Sequence, residues 1–432
     1  MLAPSRTLGL GGAYAGLAEG VDGTASNVAA PAVRAPFSSH HVDFDLTASI
    51  SLPGSFSSTD FENRGTLPGG SGAENFVYGN AGLMLQVGPF GASFTIDATS
   101  YTLAGPNDTT LNARILRAHA IVAWAFLQHQ VIVGVGLQGA TMNLATSGLP
   151  LAPPSGIAPE AGMLLKLDDQ PWRIGFSARA PVSAGVGAGV TPGPDGIRRV
   201  GDYILPTSVV VPAQLQAGLA VQLGPRPLNP KWLDPRDQIA PLREKIEEIR
   251  AERAKRDASE LGAMPAGPAR TARQRELDAT ERAIRRVEDA RFDAEEHKLA
   301  AEREARYWNW PRPKVLVVLD AVVTAPVDSA VAISSFIDKT NDIYGRSWTV
   351  SPRYGIEGEP LVDRFRLRFG GYLEPSLFQD GTARQHFTFG GDIKLFQWNF
   401  FGILAPTIWQ LSFAVDLAPR YTNWGLSLGV WR

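Results

Sequence analysis

The chain has 432 residues, 41 basic against 43 acidic, and no cysteine. That balance excludes a nucleic-acid partner captured by a basic surface, and the missing thiols exclude disulfide scaffolds, thiolate metal sites and cysteine nucleophiles. No run of about 18 apolar residues occurs, which excludes membrane-spanning helices, whereas a mean hydropathy of -0.06 is compatible with a membrane barrel whose lumen-facing residues interrupt every apolar run.

Met1-Leu2-Ala3-Pro4 is too short to be a signal peptide, so an exported protein is expected here in processed form. Residues Arg6 to Ala32 do not alternate and are dominated by glycine, alanine and other small side chains. Such a segment packs inside something else; it cannot build its own core. A dinucleotide loop would need a third glycine where Tyr14 sits and a strand before Gly9, and neither is present. The run Gly9-x-Gly11-Gly12-Ala13-Tyr14-Ala15-Gly16-Leu17-Ala18, followed by Asp22, Asn27 and Pro31-Ala32, resembles the N-terminal hatch of the FadL-type outer-membrane transporters of hydrophobic compounds. The resemblance implies a fourteen-strand barrel plugged by residues 1–38, with fatty acids or aromatic hydrocarbons as substrates. It makes Gly9, Gly11, Gly12, Tyr14, Gly16, Asn27 and Pro31 the plug residues. The family's Asn-Pro-Ala word is interrupted here by Val28-Ala29-Ala30. Family members also open sideways at a kink in the third strand; Phe90 to Tyr101 offers only Gly91 near its start and no interior proline.

From His40 onward apolar and polar residues alternate with the period of two that marks strands. The candidates are about 40–52, 76–87, 90–101, 114–127, 130–142, 158–168, 172–181, 208–223, 314–325, 345–356, 362–374, 384–397, 407–418 and 420–431. They number roughly fourteen, even as a bacterial barrel requires. In the last pair, Trp409, Leu411, Phe413, Val415 and Leu417 oppose Gln410, Ser412, Ala414 and Asp416; Trp424, Leu426, Leu428 and Val430 oppose Asn423, Gly425, Ser427 and Gly429. One oily face and one polar, glycine-dotted face fit lipid outside and a lumen inside. Val131, Val133, Val135 and Leu137 alternate in the same way, with Ile132 the misfit. Short links, such as Gly88-Pro89, Gln128-His129 and 169–171, alternate with long ones rich in Gly, Pro, Ser and Asn. Outer-membrane barrels show this segregation of short periplasmic turns from long outer loops. The short link at 418–420 is an exception, because it falls on the long-loop side.

Residues 226–312, between barrel segments 39–225 and 313–432, are helical by composition. Ile239, Leu242, Ile246 and Ile249 step by three and four, and Leu277, Ile284 and Val287 share a face. Glu252–Arg256, Glu281–Arg285 and Glu302–Arg306 have favourable i,i+4 spacing. Gly262 to Pro268 turns the chain between two arms, the first of about 23 residues and about 35 Å. Turn parity puts this hairpin in the periplasm, either as a solvated spacer, as a docking arm for a periplasmic protein, or in contact with the barrel rim.

The six histidines lack metal-ligand spacing, and neither Gly-x-Ser-x-Gly nor His-Glu-x-x-His occurs, so no metal, cofactor or enzymatic activity is expected. Strand eleven is the most informative polar set. With Phe365, Leu367 and Phe369 toward lipid, Arg364, Arg366 and Arg368 face the lumen, since an arginine on the lipid side costs about 2–4 kcal/mol at the midplane. Asp392, Asp416, Asp320 and Asp97 are the lumen acids available to them, either as a filling ion-pair network or as part of a cationic route for a carboxylate. Trp308, Trp310, Trp398, Trp409 and Trp424, with Tyr307 and Phe400-Phe401, suit an interfacial girdle. These residues describe an all-β transmembrane barrel of about fourteen antiparallel strands with a plug and a helical hairpin. By resemblance it lies in the outer membrane of a Gram-negative bacterium and takes up a hydrophobic or amphipathic small molecule. The alternative is a non-transporting barrel that anchors a partner through the hairpin.

Overall fold

Fourteen strands close into one antiparallel ring. They are β1 (Val42–Ser51), β2 (Ala73–Val87), β3 (Phe90–Ala104), β4 (Thr110–Phe126), β5 (Val131–Thr146), β6 (Ser155–Leu165), β7 (Trp172–Arg179), β8 (Gln214–Leu223), β9 (Val315–Thr324), β10 (Thr349–Leu361), β11 (Phe365–Glu374), β12 (Arg384–Trp398), β13 (Thr407–Ala418) and β14 (Tyr421–Val430). Each pairs with its chain neighbours, and β1 pairs with β14 from Thr47↔Gly429 to Ser51↔Gly425, so the ring has no edge. Closure matters because a lipid-exposed edge would leave backbone donors and acceptors with no partner. This computed structural model describes the chain apart from residues 36–37, 39, 56–58, 66–72, 105–109, 147–148, 151–154, 186–190, 196–198, 201–202, 205–207, 312, 329, 334–341, 380, 400–406 and 432.

The two faces of the wall separate as the alternation predicts. Leu215 is 56% exposed, Phe369 59% and Leu426 40%, whereas Gln216, Arg368 and Ser427 beside them are buried. A soluble barrel would invert this pattern; an apolar belt on a closed barrel belongs in the Gram-negative outer membrane. Ile132, apolar on the inward face of β5, is explained by the plug: it packs with Ala29, Ala30 and Val33 of the N-terminal segment.

Three boundaries differ from expectation. The predicted strand 208–223 is two pieces: Ser208–Val211 pairs with Val182–Gly185 in a separate ribbon, and the barrel strand begins at Gln214. Pro212 between them has no N–H to donate to a ladder. Strand β10 starts later and runs five residues past the expected 356, to Leu361. Strand β11 begins at Phe365, because Val362-Asp363-Arg364 form a turn in which Asp363 has φ 58° and the Arg364 amide donates to the Leu361 carbonyl at 3.0 Å.

The chain divides into two units. One holds Met1–Pro36, Val42–Lys231 and Pro311–Arg432; the other holds Phe37–His41 and Trp232–Trp310. The inserted unit is narrower than the expected 226–312, since residues 226–231 group with the barrel. It contains two helices, numbered after the short N-terminal α1 (Ser5–Gly9): α2 (Pro235–Ala263) and α3 (Pro268–Trp308), of 29 and 41 residues. Asp234 caps α2 by accepting from the Arg236 amide at 2.9 Å. The arms meet largely through charge. Arg253 bridges to Glu281 at 3.0 Å and Glu288 at 2.5 Å, and Arg250 bridges to Glu288 at 2.8 Å. The expected apolar seam is incomplete, for Val287 is 70% exposed. Glu281–Arg285 forms at 2.6 Å as expected, but Arg256 pairs with the adjacent Asp257 at 3.5 Å. Among the described residues no helix is long and apolar enough to cross a membrane.

Candidate functional site

The N-terminal segment is the plug. Residues Ala3 to Ala35 are buried inside the barrel almost without interruption. Their small side chains let the plug backbone touch the wall, and the wall reciprocates. A Cβ placed on Gly134 would lie 2.0 Å from the Val28 carbonyl oxygen, and one on Gly175 would lie 2.0 Å from that of Ala15. No other residue fits either position. On the plug itself, Gly11 and Gly12 have φ of 63° and 76°, Gly9 abuts Gly390, and Gly16 abuts the backbone of Gly218 and Ala220.

Polar side chains of the wall hold that backbone. Asp320 on β9 accepts from the amides of Tyr14 and Ala15 at 2.9 and 2.8 Å and from Gln216 at 2.8 Å. Thr388 donates to the Gly9 carbonyl at 3.2 Å, and Gln86 donates to that of Pro31 at 2.8 Å. Asn27 ties the plug to itself and to β6, donating to the carbonyls of Ala15 and Met163 at 2.9 and 3.1 Å. Arg179 donates to the Ala25 carbonyl at 2.6 Å. Arg173 is fully buried and donates to the Leu17 carbonyl at 3.0 Å and to Glu19 at 2.9 Å. The plug residues expected from sequence are therefore gathered in the lumen. Their partners Gln86, Arg173 and Arg179 went unnoticed, because an isolated polar residue in an alternating strand does not announce its target.

The arginine network exists in altered form. Arg368 is held by Asp392 and by Glu357 at 2.7 Å, and Arg366 donates to Glu359 at 2.8 Å while lying 3.7 Å over the Trp431 ring. Arg6 of the plug joins at Glu357 (3.4 Å) and Glu19 (3.2 Å). Arg364 is not a member: it is exposed in the β10–β11 turn. Asp320, Asp416 and Asp97 are not members either. Asp416 pairs with His386 at 2.8 Å and accepts from Tyr372 at 2.8 Å. Asp97 accepts from Tyr78 and Asn80, both at 2.7 Å. Besides Asp392, the carboxylates that serve are Glu357 and Glu359, which lie in the part of β10 beyond its expected end at 356. Their alternation about Gly358 is the signal that could have revealed them. With partners on both guanidinium groups, this cluster fills and braces the interior rather than offering free cations.

Toward the long-loop ends of the strands the lining changes character. Leu103, Leu111, Ala113, Met142 and Leu144 form a buried apolar cluster on β3–β5, with Tyr101, Ile115, Val209 and Ile333 packed against it. Two positions along from Ile115 on the same inward face of β4 is Arg117, which is exposed. No hydrogen bond or ion pair from the described residues reaches it, although Asp97 is its register partner. Rings from the strand ends and loops gather nearby: Phe61 stacks on Phe76 at 4.3 Å, and Phe76 on Tyr101 at 5.0 Å.

The wall itself is uneven. β3 is paired with β4 over its whole length, and with β2 except where the register shifts between Glu74 and Val77, opposite Tyr101. β7 has only 8 residues beside a 16-residue β5 and an 11-residue β6. At about 3.3 Å per residue and about 40° tilt it spans roughly 20 Å, short of the roughly 25 Å apolar band of such barrels. Beyond Glu160↔Arg179 the Pro159 carbonyl still accepts from the Ala180 amide at 3.0 Å, but among the described residues the ladder of Ser155–Pro159 runs only to β5. Ile157 there is 74% exposed. Just past that point the chain turns inward, with the Ala180 carbonyl accepting from Gln138 at 2.7 Å. An apolar groove of about 530 Å³ marks the outer wall across β6–β9, lined by Met163, Phe176, Leu215 and Val323 among others.

By sequence, no protein-family model and no curated protein matches the chain. By structure it is similar to a FadL homologue of Pseudomonas aeruginosa, with a TM-score of 0.54, 10% identity, and 99% of this chain and 97% of that one covered. It is likewise similar to the monoaromatic hydrocarbon channel CymD, with a TM-score of 0.50, 11% identity, and 99% and 96% covered. Closed ring, apolar exterior and N-terminal plug thus agree with end-to-end structural similarity: the chain has the fold of the FadL-type outer-membrane channels.

Proposed function

We propose that the protein is an outer-membrane channel for passive uptake of hydrophobic or amphipathic small molecules. The observation that carries this reading is the split inner face: a buried apolar cluster on β3–β5 toward the loops, against which Val209 and Ile333 pack, with Arg117, which no described residue pairs, at its inner margin. Leu111 and Arg117 are six residues apart on one strand, about 20 Å at about 3.4 Å per residue. That length suits an alkyl chain with a carboxylate at one end. An aromatic hydrocarbon would use the apolar part alone. Release would follow a shift of the plug, and the short β7 supplies the thinnest part of the wall.

Uptake by proteoliposomes tests the reading. A long-chain fatty acid and an aromatic hydrocarbon should both enter faster than into protein-free vesicles. Arg117→Gln should slow the acid about tenfold or more, because a hydrogen bond to a charged group contributes about 1.5–3 kcal/mol, and leave the hydrocarbon unchanged. Transport of neither compound would overturn the reading in favour of a scaffold. A photoreactive ligand that labels Ile157 to Ala161 supports exit at β7; labelling confined to β3 contradicts that route.

A further inference from the structure

The chain segments that flank the helical insertion, both within the barrel unit, are among those on which the plug docks. One of the plug's two apolar clusters joins Leu10, Tyr14 and Leu17 to Ala220 and Leu228, just before the insertion, and to Leu316 and Val318, just after it. Arg173 ties the same parts by polar contacts. One edge of its guanidinium holds Leu17 and Glu19 of the plug; the other donates to the Leu228 carbonyl at 2.7 Å and to Asn229 at 2.6 Å. On the exit side Lys314 bridges at 3.3 Å to Glu357, which also holds Arg6 of the plug.

The tether behind the plug belongs to the insertion as well. Phe37–His41, the only covalent path from the plug to β1, groups with the helical unit and not with the barrel. Within that unit Trp232 donates to the Ser38 hydroxyl at 3.2 Å, and His41 pairs with Asp234, the cap of α2, at 3.0 Å. Both roots of the hairpin and its helix cap are therefore wired to the plug or to its tether.

We infer that the hairpin is a handle on the plug: a partner or load that shifts its base changes how firmly the plug is seated. This holds whatever the channel carries, since it concerns the plug and not the cargo. Hydrogen exchange of the full chain in micelles tests it. With residues 232–310 replaced by a short glycine-serine turn, which removes Trp232 and Asp234, amides of Leu10–Val33 should exchange at least tenfold faster while β2–β5 keep their protection. If the truncated chain does not assemble, the full-length double variant Trp232→Phe, His41→Gln serves, with a two- to threefold acceleration expected in the same segment. Coupling is reciprocal, so Asp320→Ala, which frees the plug from β9, should raise exchange in the hairpin root Leu228–Lys231. Plug exchange equal to that of the unaltered protein in an assembled variant would overturn the inference, as would an unresponsive root in Asp320→Ala.

Discussion

At the residue scale, what decides a side chain's role is whether its partner is fixed. Asp320 is buried against two plug amides and an amide side chain. Removing it strands three donors in the interior, at about 1–3 kcal/mol for each donor left unsatisfied. Asp320→Ala should therefore loosen the plug while the barrel persists, read as a lower urea midpoint for plug protection with an unchanged midpoint for β3–β5. A plug midpoint in Asp320→Ala equal to that of the unaltered protein would show that the contact carries no load. The two wall glycines act in the opposite sense. Gly175→Ala puts a methyl where the Ala15 carbonyl sits, so it should unseat the plug as effectively as losing the anchor. Arg368 and Asp392 sit deeper still, and removing either leaves its partner charged and buried, a loss of about 3–5 kcal/mol.

At the element scale, the hairpin arms are held by arginine–carboxylate bridges near the surface. Hydrogen bonds from Arg253, and then Arg250, draw the Glu288 carboxyl down to about 2 from an ordinary 4.5. A carboxyl depressed on folding contributes stability that is complete above its unfolded value and is lost as pH falls through its folded value. The arms should therefore stay paired above pH 5 and separate progressively between 4.5 and about 2, the range set by that shift. Each exposed bridge is worth only about 0.2–1 kcal/mol, and salt should weaken them together. Spin labels on α2 and α3 would report the change as a broader interarm distance at pH 2.5 than at pH 6; an unchanged distance would mean that apolar contacts hold the arms. The elements differed in how legible they were. Strand existence was plain, because one face must meet lipid and the period of two follows from that demand alone. Strand ends were not, because Pro212 and the β10–β11 turn depend on which amide needs a partner, and Arg364 was misplaced as a result. Glu357 and Glu359 were lost with the same boundary, so half of the arginine network could not be read.

At the scale of the whole molecule, one division organises everything: oily side chains outside, a polar and glycine-lined interior filled by the N-terminal segment. That division makes the plug's glycine and alanine content intelligible, since only small residues thread a lumen already crowded with arginine and carboxylate. It also explains how the wall can be so apolar while the chain as a whole is not. The absence of native cysteine allows single cysteines to be placed without background. The most direct measurement labels each position from Leu215 to Gln222 except Gly218, where a Cβ would meet Asp320, in turn with a fluorophore in lipid vesicles and adds a quencher dissolved in the hydrocarbon. Quenching should alternate, strong at 215, 217, 219 and 221 and weak at 216, 220 and 222. Uniform quenching, or uniform protection along β8, would contradict a two-faced wall and the plugged barrel built on it.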